Sequence, residues 1–209
     1  MKLKKIASLM LAGVMAVSML AGCSGKSEEK PGEEENNSNQ ATGVSSTFAG
    51  FLSGDRIKFA DNSTYQTFLS DAIKDADLDY SDLSQVNATY WTTNAVYTGV
   101  EHDFKMNVVD FADTRVENFG VVNNSTDNTY MTVLQVPGEV SRDIALKNVA
   151  NKLDNALSNS NLVNFNTNNN KQYNYAYTGS VSMQKVEDGS TSAWYVLVTV
   201  SIDATEAKK

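Results

Sequence analysis

One cysteine, one histidine and two prolines occur among 209 residues, and each scarcity excludes something. Cys23 lies near the N-terminus, so the rest of the chain has no disulfide and no thiolate zinc site. His102 is too little for a catalytic zinc centre when no cysteine stands near it. Pro137 is the only proline after residue 31, which leaves later strand candidates free of breakers. No G-x-S-x-G, phosphate-cradling glycine loop or dinucleotide fingerprint is present. Ser27–Lys30 and Ser182–Lys185 both fit S-x-x-K, but no companion motif accompanies either, so the match carries nothing. Positive charge is also short: 17 basic residues stand against 25 acidic ones, a formal net charge of −8. That balance disfavours nucleic acid and anionic lipid as direct partners, because both are densely negative.

Long apolar runs are scarce too, with a single exception. Lys2, Lys4 and Lys5 precede an apolar stretch from Ile6 to Leu20, interrupted only by Ser8, Gly13 and Ser18. This is the length of a secretory h-region and shorter than the roughly 20 residues that span a bilayer. Leu20-Ala21-Gly22-Cys23 closes it. These four residues resemble the lipobox of bacterial lipoproteins, and the resemblance covers the signal segment alone. It implies a signal peptide over 1–22, a lipid on the Cys23 sulfur and anchoring to the cell membrane, facing the extracytoplasmic side. Residues 23–46 are rich in Gly, Ser, Asn and Glu and contain no aromatic residue. Such a segment cannot bury enough apolar surface to offset its entropy, and it reads as a disordered acidic tether. Removal of 1–22 takes three of the 17 basic residues, leaving 14 against 25 acidic and a formal charge of −11.

Residues 47–209 read as one domain, long enough to build a core. Apolar residues recur at helical spacing over Thr64–Ala76 and again over Ser141–Leu157, where Ser141 is the natural N-cap. Gln85–Gly99, Asp103–Phe111, Thr129–Val136, Gln172–Val186 and Ser192–Asp203 are dense in β-branched and aromatic residues and read as strands, with Arg115–Val122 a weaker candidate. Glu187–Ser190 reads as a hairpin turn. Trp194, Val196, Val198, Val200 and Ile202 share one face, which is expected to be core. The expectation is an α+β domain: an antiparallel sheet with two helices packed on one face, in the order α-β-β-(β)-β-α-β-β. NAVYTG at 94–99 and NYAYTG at 174–179 hint at a duplication.

Three groups are candidates for chemistry. Asp75, Asp77, Asp79 and Asp82 resemble the start of a calcium loop, although Tyr80 stands where the turn needs glycine and Val86 where a bidentate glutamate belongs. No other cofactor is expected. His102 beside Asp103 has the makings of a general base, but no nucleophile is placed for it, and it reads as a solvated histidine in a turn between strands. Tyr173, Tyr175 and Tyr177 alternate along one strand and share a face, where stacking and hydroxyl bonding suit a sugar or peptide. The expectation is a non-catalytic binding module on the cell surface, engaging a carbohydrate, a peptide or an envelope protein and no nucleic acid. The alternatives are an envelope hydrolase built on scattered carboxylates and a passive structural component of the envelope.

Overall fold

A long hairpin near the C-terminus frames the molecule. The computed structural model describes residues 43–84, 86, 88–118, 125–168 and 171–207. All lie within the compact unit Asn39–Lys209; Cys23, the signal segment and most of the expected tether lie outside them. The elements in chain order are α1 (Val44–Ala49), β1 (Ile57–Phe59), α2 (Ser63–Asp75), α3 (Tyr80–Ser84), β2 (Tyr90–Trp91), α4 (Ala95–Asn107), β3 (Asn128–Pro137), α5 (Arg142–Leu157), β4 (Phe165–Asn168), β5 (Lys171–Asp188) and β6 (Thr191–Glu206), with a 3₁₀ turn at Val116–Asn118. The sheet runs β1-β5-β6-β3-β2, and β4 pairs with β5 as well. β5 and β6 pair from Asp188 opposite Thr191 to Tyr173 opposite Glu206. Gly189 takes a left-handed φ of 58° at the turn, a conformation that glycine adopts without steric cost.

β6 is the central strand, and it is buried on both sides. Val196, Val198, Val200 and Ile202 face α1 and α5. Ala193, Tyr195 and Leu197 face α2, α3 and α4. Alternation by two therefore feeds two cores at once, each fully buried large side chain contributing about 1.5–3 kcal/mol. The helices also carry local stop and start signals. Asn62 accepts from the Thr64 and Tyr65 amides to cap α2, Asn94 accepts from Val96 to cap α4, and Ser141 accepts from Ile144 to cap α5. Asp61 holds α1 by accepting from the amides of Gly43 at 2.7 Å and Ser45 at 2.9 Å. The Ser45 hydroxyl then bonds Val181 on the edge of β5.

The α+β class stands, as a mixed sheet with helices, and both main helices and the hairpin lie where the periodicity places them. Other expectations are corrected. The sheet is not wholly antiparallel, because β1 runs parallel to β5. Helices cover both faces rather than one. Among the described residues of the expected strand Gln85–Gly99 the strand is Tyr90–Trp91, and Ala95–Asn107 is helix, which also displaces the expected strand Asp103–Phe111. Val96, Val100 and Phe104 are each fully buried at a spacing of four, so burial there follows a helical period despite β-rich composition. NAVYTG consequently lies on a helix and NYAYTG on a strand, which removes the structural basis for a duplication. Of the weaker strand candidate, 116–118 is a 3₁₀ turn and 119–122 lies outside the described residues. Val44 and Ser45, expected in the tether, are buried in the folded body as part of α1.

Candidate functional site

The α2–α4 side of the sheet is only half covered. The helices pack over Ala193, Tyr195 and Leu197, but the β5–β6 hairpin continues past them. Beyond the Thr129–Ser201 hydroxyl pair, at 2.9 Å, the face opens to solvent. On β5 it presents Gln172, Asn174 and Ala176, all exposed, and the half-buried Thr178. On β6 it presents exposed Asp203 and Thr205, on β1 exposed Lys58, which pairs with Thr178. Phe165 on β4 pairs with Asn174 and so shares this face, with its ring 61% exposed. Asp203 is exposed but partly desolvated where it lies against the sheet, which pushes its carboxyl above its ordinary value, and nearby Asp127 and Asp110 add to the push.

This open face is the reverse of the one expected to bind. Tyr173, Tyr175 and Tyr177 lie on the α1–α5 side of the same strand. Tyr177 is buried and donates its hydroxyl to the Val163 carbonyl at 2.7 Å. Tyr173 is buried as well, and Tyr175 is half-buried against the same core. The expected row does not stand open to a ligand, because α5 and the segment around Val163 take up that side. Parity along β5 was read correctly; which parity faces water was not. Phe165 lies in β4, inside the Asn-rich stretch 159–170, whose polar composition gives no apolar pattern to mark a strand.

The expected calcium loop is a helix cap. Asp79 accepts from the amide of Ser81 at 2.7 Å, its hydroxyl at 2.6 Å and the amide of Asp82 at 3.3 Å. Asp82 accepts in return from the Asp79 amide at 3.0 Å, a reciprocal box starting α3. These bonds hold the Asp79 carboxyl below its ordinary value, the Ser81 hydroxyl foremost. Asp75 ends α2 and Asp77 turns the chain with φ 48°, so the four carboxylates are not gathered around one point. Among the described residues no three His, Asp or Glu side chains are grouped to hold a metal ion.

His102 and Asp103 lie on α4 rather than in a turn. They line a cleft of about 320 Å³ between α2 and α4, together with Asp71, Lys74 and Asp75. The cleft floor is the close crossing of Ala72 and Gly99. Burial raises the Asp103 carboxyl above its ordinary value, His102 opposes the shift, and Asp71 and Asp75 reinforce it. His102 itself is exposed. Compared with protein-family models, curated proteins and solved structures, the chain has no match.

Proposed function

We propose that the chain is a lipid-anchored, extracytoplasmic, non-catalytic binding module that engages its partner through the open half of the sheet. The observation that carries this reading is the row Gln172, Asn174, Ala176 and Thr178 beside Phe165, presented on the longest ladder among the described residues. Side chains on a paired strand are held at fixed spacing, which lowers the ordering cost of binding. α1 packs on the opposite side of the sheet from this face. Cys23 and its lipid supply the membrane attachment in this reading.

The test uses the chain from residue 23 onward with Cys23→Ala, mixed with cell-envelope material and sedimented. Ala176→Arg, an exposed change at the centre of the face, is expected to cut co-sedimentation at least about tenfold. Equal co-sedimentation of the two proteins overturns the proposal. The α2–α4 cleft favours a second reading, an envelope hydrolase whose acid is Asp103. Under that reading Asp103→Asn abolishes turnover of envelope material and Ala176→Arg leaves it intact.

A further inference from the structure

We infer that the ligand class of this face is a neutral glycan chain, an inference that rests on the binding-module reading above. Size is the first argument. From Gln172 to Thr178 the strand rises about 20 Å, and β4 to β6 spans about 10 Å, which is room for several sugar rings in a row. Chemistry is the second. Gln172, Asn174, Thr178 and Thr205 carry amides and hydroxyls that both donate and accept, as sugar hydroxyls do. Phe165 adds one exposed ring on the same face, suited to stacking on the C–H side of a pyranose.

Charge narrows the choice further. Lys58 is the one cation of the face among the described residues, and Asp203 with Asp127 and Asp110 beside it repels an anionic polymer. An extended peptide docks by adding to a sheet edge or filling apolar pockets. β5 is an interior strand here, paired by β6 along this stretch and, on its other side, by β4 at Lys171–Asn174 and by β1 at Tyr177–Gly179. The peptide is therefore disfavoured and the uncharged sugar favoured.

The experiment titrates the same Cys23→Ala chain with neutral hexasaccharides of glucose and of N-acetylglucosamine, with an anionic polysaccharide, and with basic and neutral hexapeptides. Backbone amide NMR shifts are the readout. A hexasaccharide is expected to shift the amides of Phe165, Asn174 and Ala176. Phe165→Ala is expected to weaken it about tenfold and Ala176→Arg to abolish it, while Met106→Ala on α4 leaves it unchanged. Phe165, Ala176 and Met106 are surface residues, and unshifted amides elsewhere verify that each variant is folded. Shifts on this face by a peptide or the anionic polymer but by neither sugar overturn the glycan inference and keep the binding face. Sugar binding insensitive to both face variants, or shifts by no probe, overturns the glycan inference. Insensitivity counts against the face as well.

Discussion

Thr132 stands mid-strand in β3 with its side chain fully buried and its hydroxyl without a hydrogen-bond partner. Its neighbours on that face, Tyr130 and Leu134, belong to the α5 core. An unpaired buried hydroxyl costs about 1–3 kcal/mol, and valine has the same shape without it. Thr132→Val is expected to stabilise the fold by roughly 1 kcal/mol in urea unfolding, with an unchanged slope. Two buried tyrosines contribute to the alkaline limit. Burial pushes Tyr177 and Tyr195 from the ordinary 10.0 up to about 12. The folded state thus holds these protons more tightly than the unfolded state does. Their contribution is complete below about pH 10 and lost as pH rises towards about 12. Unfolding free energy measured against pH should fall across that window, and less steeply in Tyr177→Phe. Neither tyrosine announces its burial in the sequence. Tyr177 looks identical to Tyr175 in the sequence, yet its hydroxyl donates to the carbonyl of Val163, 14 residues earlier.

At the scale of elements, the crossing of α2 and α4 is set by one glycine. A Cβ on Gly99 would meet the Cβ of Ala72 at 2.9 Å and its Cα at 3.3 Å. Alanine improves helix propensity by about 1 kcal/mol, but the clash is with a packed helix and costs about 1–3 kcal/mol. Gly99→Ala is therefore expected to lower the unfolding midpoint, and Gly99→Val to lower it further; a rise in both means that the helices separate freely. This element also shows where reading by composition fails. Residues 94–107 carry Val96, Tyr97, Thr98 and Val100, which favour strands, yet Asn94 caps a helix there. The cap and the spacing of four were legible; β-propensity was given more weight than it deserves in a segment that a neighbouring helix can cover. By contrast α5 has a cap, a stripe and a preceding Pro137–Gly138, all agreeing, and it folds where they point.

The whole molecule joins a signal-like segment, an acidic stretch and a sheet with two cores. Among the described residues no helix is long and apolar enough to cross a membrane. Attachment in the proposed function rests on Cys23. Cys23→Ala is expected to move the protein from the membrane fraction to the soluble one, or to leave an unprocessed precursor. A mature-sized Cys23→Ala protein that still sediments with membrane defeats the lipid anchor. Two acyl chains hold durably where one does not, so the change should be near complete.

Local signals were enough for the helices α2 and α5, the hairpin and the inward row Trp194 to Ile202, because periodicity and caps act within a few residues of one another. The lipobox resemblance is local in the same way. Tertiary structure alone decided that a second layer of helices covers the reverse of β6, and that this layer stops short of Asp203. A continuous run such as AWYVLVTV is compatible with one core or two, since alternation describes each face separately and says nothing of what lies across it. For the same reason β5 shows two equally regular rows, tyrosines on one side and amides and hydroxyls on the other. Which row meets water depends on helices elsewhere in the chain, from α1 at Val44–Ala49 to α5 at Arg142–Leu157, whose packing no local pattern records.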